Sequence, residues 1–157
     1  MGKYIGESVL RKEDPRLVTG EAKYLEDIQL SGMVHAVVKR SDYAHAKIKN
    51  IDTSEAEKVP GVIGVWTGKD FEDVNPMPCA WQASGVDNNA NTPRVLEIDK
   101  VTFTGQGVAV VVAEDRNIAE DASSKIVVDY EELPTVVSAE EAIKTGAPQL
   151  HENAPNN

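Results

Sequence analysis

An unbroken apolar run from Val108 to Ala113, within the stretch VTFTGQGVAVVVAED, constrains the fold of this chain more than any other feature. A strand with one solvated face alternates apolar and polar residues, whereas a strand covered on both faces does not. The run therefore predicts a strand that is buried on both faces. A chain of 157 residues is long enough to build such a core, since it can bury about 70% of its unfolded surface.

Shorter strand signals lie on both sides of this run. Alternation predicts one strand over Val34 to Lys39 and another from Ala46, with residues 40–43 turning the chain back into an antiparallel hairpin. The segments VIGVWT, from Val62, and IVVDYEEL, from Ile126, predict two further strands.

Capping-box spacings predict three short helices between the strands. The three pairs are Asp52 with Glu55, Asn117 with Glu120, and Ser138 with Glu141. Pro60-Gly61 and Gly146 mark the ends of the first and third helices, and GKDFEDV after the third strand predicts one further helical turn. This order of elements predicts an α+β domain with short helices around a mixed sheet over residues 1–146. Residues 147–157 are expected to form a C-terminal linker or tail.

The charge balance argues against nucleic-acid binding. The chain carries 16 Lys and Arg against 26 Asp and Glu, a net charge of −10, which repels phosphate backbones. The sequence contains no apolar run of membrane-spanning length and no signal-peptide core, and its single Cys79 cannot form an internal disulfide. We therefore expect a soluble cytoplasmic protein.

A metal site built on His35 and His45 is the first chemical hypothesis. In the tightest register of the predicted hairpin, the two histidines would be diagonal neighbours, about 7–8 Å apart between their Cα atoms. A catalytic zinc needs a third protein ligand, and Cys79 lies in an irregular stretch, residues 75–93, that the sequence does not place. Ordinary polar histidines of a hairpin are the favoured interpretation.

Nucleophilic and phosphate-binding motifs are incomplete. Ser84 lies outside any G-x-S-x-G elbow, and Cys79 has no neighbouring imidazole in the sequence. Gly105 and Gly107 precede a strand, whereas a dinucleotide-binding loop must lead into a helix. These glycines predict a tight turn or a bulge.

Lys100 suggests an alternative hypothesis, a carrier module modified at this lysine. The segment LEIDKVTF resembles the E-x-D-K hairpin that presents a lysine for lipoyl attachment in carrier domains, with Lys100 as the modified residue. The chain is about twice as long as such a module requires, and the half-repeats that flank the lysine are missing. A polar turn before a strand at Val101 is the simpler interpretation.

The order of several motifs along the chain is more informative than any one of them. In sequence they are RKEDPRLVTG (Arg11 to Gly20), RSDYAHAKI (Arg40 to Ile48), PGV (Pro60 to Val62), GQGVAVVVAED (Gly105 to Asp115), AEDA (Ala119 to Ala122) and VDYEELP (Val128 to Pro134). This collinear set resembles the N-terminal region of the large, molybdenum-binding subunit of the xanthine dehydrogenase/aldehyde oxidase family, and within it the carbon monoxide dehydrogenase large-chain branch. The resemblance covers nearly the whole chain. Asp42 and Gly107 depart from it, because prolines are frequent at those positions in the family.

The resemblance implies an α/β-hammerhead fold and a parent enzyme that oxidises a small substrate at a molybdenum-pterin centre, with iron-sulfur and FAD subunits or domains as electron acceptors. The family's pterin-binding loops and glutamate base lie in a longer region outside this chain. The resemblance therefore assigns no catalytic, cofactor-binding or metal-binding residue here. It implies that this chain is part of a molybdenum-dependent oxidoreductase, lacks the active-site region and is not catalytically competent alone. The implied partner is the catalytic molybdenum-binding region, from the same gene or a separate subunit, and self-association is a further expectation.

Overall fold

The structure is a computed structural model that describes residues 5–79, 81, 84–85, 92–154 and 157. It contains two units, Met1–Met33 and Val34–Asn157. In the first unit, a short helix, α1 (Asp14–Val18), has Pro15 in its first turn, where the fixed φ of proline suits the helix. A 3-10 turn follows at Leu25–Asp27. None of the described residues 5–33 is buried.

The second unit contains six strands and three further α-helices within the described residues. The strands are β1 (His35–Arg40), β2 (Ala46–Asp52), β3 (Val62–Thr67), β4 (Lys100–Val101), β5 (Gly107–Ala113) and β6 (Val127–Glu132). The helices are α2 (Ser54–Glu57), α3 (Arg116–Ser124) and α4 (Ala139–Ala142), with a 3-10 turn at Gly68–Phe71. No helix among the described residues is long and apolar enough to cross a membrane.

Strand β5 is the centre of the first sheet, whose order is β1-β5-β3. Val111 pairs with Val37 of β1 on one side and with Val65 of β3 on the other, both antiparallel. Helix α3 packs against this sheet through Ala119 and Ala122, whose small side chains allow close approach of the helix. The prediction of a central strand is confirmed, but its two faces are covered unequally. Ala109, Val111 and Ala113 are fully buried on the face toward α3, whereas on the other face Val108 is buried and Val110 and Val112 are half-buried.

A second sheet has the order β4-β2-β6, and its described pairings are also antiparallel. Ala46, Val101 and Val108 form its small core. Val128 and Tyr130 of β6, the strand that IVVDYEEL predicted, pack against that core. The α+β class with short helices is confirmed, but the strands form two antiparallel sheets rather than the one mixed sheet we predicted.

The predicted hairpin between β1 and β2 is wrong, since the two strands lie in different sheets. Ser41, directly after β1, donates its backbone N–H to the carbonyl of Gln106 at 2.9 Å and accepts from the N–H of Gly105 at 2.8 Å. These bonds hold the end of β1 to the turn before β5. The ring of Tyr43 then packs on that of Tyr130, with centroids 5.0 Å apart. Residues 41–45 therefore cross from one sheet to the other.

The three short helices form near their predicted positions, but the capping boxes do not. Asp115, rather than Asn117, caps α3, because its Oδ1 accepts the N–H of Asn117 at 2.8 Å. The carboxylate of Asp52 accepts the N–H of Ser54 at 2.9 Å, and the Ser138 hydroxyl donates to Glu140 at 2.6 Å. The glutamates expected at the third position of each box instead bond nearby cations, in the pairs Glu55–Lys58, Glu120–Arg116 and Glu141–Lys144.

Candidate functional site

The two candidate metal-binding histidines lie in different places. His35 is the first residue of β1 and pairs with Ala113, whereas His45 directly precedes β2 in the other sheet. They cannot be diagonal neighbours in a hairpin that does not form. The described residues also include no group of three His, Cys, Asp or Glu side chains that could hold a metal ion.

His45 is a buried structural residue, only 6% exposed. Its Nδ1 lies 2.7 Å from the carbonyl oxygen of Pro134, so Nδ1 must carry the hydrogen and donate. The backbone oxygen of His45 also accepts the N–H of Leu133 at 2.9 Å. Both bonds fix the chain just beyond β6. In the neutral ring Nε2 is then the acceptor, and it is buried without a hydrogen-bond partner among the described residues.

Lys100 is not presented as a lipoyl lysine would be. It lies in β4, paired with Lys47 of β2, and its Nζ donates to the carbonyl of Leu150 at 2.8 Å. A modifiable lysine has to stand clear of the fold, whereas this one bonds the chain within the predicted tail. The carrier alternative is therefore not supported. The boundary at residue 146 stays a prediction.

The remaining sequence candidates also stay apart. The Cys79 thiol donates to the carbonyl of Trp81 at 2.9 Å, and Ser84 lies in an exposed turn. Gly105 has a φ of +91°, so the predicted tight turn is confirmed. A Cβ at Gly107 would lie 3.0 Å from Val38 Cγ1, which indicates close packing at the start of β5. Gly105 and Gly107 thus support the fold, and the hydrogen bond described for the Cys79 thiol goes to a backbone carbonyl rather than to a base.

Gln106 forms a buried polar network that the sequence analysis missed. It is 6% exposed. Its Nε2 donates to Glu97 Oε1 at 2.6 Å, while its Oε1 accepts the N–H of Thr102 at 2.7 Å. The Glu97 N–H donates to the carbonyl of Gly107 at 2.9 Å. Gln106 thus joins β5 of one sheet to the segment that follows β4 of the other. A lone glutamine directly before an all-apolar strand was the available signal.

Glu97 is the titratable member of this network. Burial raises the pKa of its carboxyl above the ordinary value, while hydrogen bonds from Arg94 and Gln106 partly oppose that effect. The Glu97 Oε1 accepts both the Gln106 amide and the Arg94 N–H, the latter at 3.2 Å. A carboxyl that accepts from two donors fixed by the fold serves here as a structural acceptor.

An open cleft of about 800 Å³ lies beside this network. Its lining includes Lys47, Glu97, Lys100, Gln106, His151 and Glu152. Burial and the nearby Lys100 and His45 lower the pKa of His151, which favours a neutral imidazole. Lysines and glutamates both line the cleft, so its lining carries positive and negative charge and selects neither an anion nor a cation.

The fold and the ordered motifs define a family. Residues 19–134 match the family described as aldehyde oxidase and xanthine dehydrogenase, a/b hammerhead domain, and the chain belongs to this family. Among curated relatives, the nicotine 6-hydroxylase large subunit of Paenarthrobacter nicotinovorans is 41% identical over 154 residues, covering 98% of this chain and 18% of that protein. The carbon monoxide dehydrogenase large chain of Afipia carboxidovorans is 41% identical over 143 residues, covering 91% of this chain and 17% of that protein.

Solved structures agree with this assignment. Quinoline 2-oxidoreductase from Pseudomonas putida 86 superposes with a TM-score of 0.81 at 41% identity, over 95% of this chain and 19% of the other. A Cu,Mo-CO dehydrogenase in its carbon monoxide reduced state superposes with a TM-score of 0.77 at 39% identity, over 94% of this chain and 18% of the other. The hammerhead fold is therefore confirmed, and the chain spans less than a fifth of the relatives it matches.

Gln106 and Lys100 are not available to a molybdenum-pterin group. The best-placed polar side chains, Gln106 and Lys100, are engaged in internal hydrogen bonds. We therefore assign no cofactor-binding residue and derive no chemical step through that group.

Proposed function

We propose that this chain is the structural and interaction domain of a molybdenum hydroxylase large subunit and is not catalytically competent alone. The observation that carries the proposal is the hammerhead match over residues 19–134, together with the small share of each relative that the chain covers. The internal use of Gln106, Glu97 and Lys100 agrees with a scaffold role.

The proposed partner is the remaining, catalytic part of the large subunit, encoded in the same gene or as a separate subunit. Molybdenum-pterin would be bound by that part, and iron-sulfur and FAD partners would receive the electrons. One relative is named a subunit of the 6-hydroxypseudooxynicotine dehydrogenase complex, which supports an assembly of several chains. A cytoplasmic location is proposed from the single Cys79.

The test is a reconstitution with the catalytic region encoded beside this chain, in the same or a neighbouring reading frame. We expect that region to hold molybdenum and reduce an electron-accepting dye only when residues 1–157 are supplied. Inductively coupled plasma mass spectrometry measures the metal, and dye reduction with aromatic heterocycles, aldehydes or carbon monoxide measures the activity. The chain alone, carried through the same purification, is the control.

Two results would overturn the proposal. One is stoichiometric molybdenum or dye reduction with the chain alone, which would make it an enzyme in its own right. The other is a catalytic region that is equally metal-loaded and active without residues 1–157.

A further inference from the structure

The described residues 5–33 carry a large apolar surface and no core. Eight of their large apolar side chains are between 45% and 87% exposed: Ile5, Val9, Leu10, Val18, Tyr24, Leu25, Ile28 and Leu30. No described residue in this range is buried. We name this stretch the N-terminal segment. Isolated exposed apolar residues are common on proteins, but so many in one short segment indicate a surface that another body covers.

Energetics favours the same conclusion. Fixing each backbone residue in one conformation costs about 1–2 kcal/mol, and burial of apolar side chains is the main term that offsets this cost. The N-terminal segment has only short local elements, α1 and the turn at Leu25–Asp27. A five-residue helix is marginal in water without tertiary contacts. The ordered form of the segment therefore requires a covering surface.

Helix α1 carries a feature suited to anchor such a contact. Leu10, Pro15 and Val18 line an open apolar pocket of about 380 Å³. Arg11 and Asp14 line it as well, and they form an ion pair at 2.7 Å. An apolar pocket of this size accepts a protruding aliphatic or aromatic side chain, the geometry that anchors most protein interfaces.

We propose that the N-terminal segment is a docking surface that orders on the catalytic part of the large subunit, with the pocket on α1 as its anchor. This inference rests on the proposed function. The family match begins at residue 19, so most of the pocket lies outside the hammerhead domain proper. The chain covers 17–19% of its relatives, so the other four-fifths supplies the largest candidate surface. A second copy is disfavoured, because each chain carries a net charge of −10.

Hydrogen exchange measured by mass spectrometry tests the ordering step on the 157-residue chain. In the isolated monomer we expect residues 5–33 to exchange as an unfolded peptide while β5 stays protected. In complex with the catalytic region encoded beside the chain, the same residues should become protected. Protection in the isolated monomer overturns the proposal. Protection that appears only as the chain dimerises assigns the surface to a second copy and also overturns it.

A matched pair of substitutions tests the anchor. Val18→Asp should weaken the complex by about tenfold or more in Kd, as expected for a central apolar contact. Val137→Asp is the control, because Val137 is as exposed as Val18 (92% against 87%). It lies in a loop outside the N-terminal segment. Circular dichroism confirms that both variants fold, and Leu10→Asp provides a second test of the pocket.

The outcomes separate the two proposals. A complex that contains molybdenum and binds Val18→Asp and Leu10→Asp as tightly as wild type overturns the docking surface and leaves the proposed function standing. Equal weakening by Val18→Asp and Val137→Asp also places the anchor elsewhere and overturns it. Failure of any complex to form with the catalytic region overturns the proposed function and this inference together.

Discussion

The side chains of Gln106 and Glu97 form a 2.6 Å hydrogen bond at the junction of the two sheets. Gln106 precedes β5 of the first sheet, and Glu97 lies just before β4 of the second. The Glu97 backbone N–H also bonds the Gly107 carbonyl at 2.9 Å. Two hydrogen bonds thus hold one short segment to the start of the central strand. The family's hammerhead fold depends here on a polar contact as well as on its apolar core.

Replacement of Gln106 by Ala should destabilise the domain by about 2–3 kcal/mol, since it removes the acceptor of the Thr102 N–H and one of the two donors to the Glu97 carboxyl, and opens a buried space. Urea unfolding followed by circular dichroism measures the loss. Gln29→Ala is the control, because Gln29 is exposed, and it should change stability by less than about 0.5 kcal/mol. Equal effects of the two substitutions would contradict a role for the network.

Glu97 should make the domain less stable as pH rises. Burial raises the pKa of its carboxyl in the folded state, so the folded protein holds this proton more tightly than the unfolded chain does. Its favourable contribution is complete below the ordinary glutamate pKa and is lost as pH rises through the raised folded value. Glu97→Gln keeps an acceptor oxygen and removes the charge. The variant should therefore gain stability over wild type at pH 7 but not at pH 4, by on the order of 0.5 kcal/mol after solvent screening.

Glu55 gives the opposite sign and serves as the control for that experiment. A hydrogen bond and the charge of Lys58 lower the pKa of the Glu55 carboxyl, so its contribution is present at neutral pH and is lost as pH falls through the lowered value. Glu55→Gln should therefore lose stability relative to wild type at pH 7. Urea midpoints at both pH values report each difference. A Glu97→Gln variant that behaves like Glu55→Gln would refute the assigned cause.

Local signals predicted the strands well but not their partners. The apolar run at Val108–Ala113 identified β5, and VIGVWT matched β3 at both ends. The pairing of β1 depended on Ser41, whose backbone bonds residues 105 and 106, more than sixty positions away. Neither periodicity nor turn composition contains that information. The sequence favoured a hairpin at RSDY because short connections usually join neighbouring strands.

Predictions about functional sites failed where they depended on which strands pair, and the family assignment held because it depended only on motif order. The metal hypothesis required His35 and His45 to face each other, and it fell with the hairpin. The Gln106 network was missed because its partners, Glu97 and Thr102, lie on either side of the predicted polar turn, and no local pattern links them to Gln106. The family assignment did not depend on which strands pair, because the order of motifs along the chain is the same whatever the sheet topology.

His45 should contribute through its Nδ1 donor rather than through metal binding. His45→Ala removes the bond to the Pro134 carbonyl and leaves a cavity, so we expect a loss of about 1–2 kcal/mol in unfolding free energy. His45→Asn places an amide N–H at nearly the same distance from the backbone and should recover part of that loss. His35→Ala, on the half-buried edge strand β1, is the control and should cost less. Urea unfolding with and without a chelator measures all three, and a chelator effect on wild type alone would revive the metal hypothesis.

Gly68 should tolerate no side chain. It is buried, and a Cβ built there would lie 2.5 Å from the backbone carbonyl oxygen of Glu97, which cannot move without disturbing the segment held by Gln106. Gly68→Ala should therefore destabilise the domain by about 1–3 kcal/mol. Gly64→Ala is the matched comparison, because the three atoms nearest to its Cβ all belong to the side chain of Trp66 rather than to backbone. Thermal unfolding of the two variants should show the larger decrease in Tm for Gly68→Ala, and the reverse order would contradict the close backbone approach.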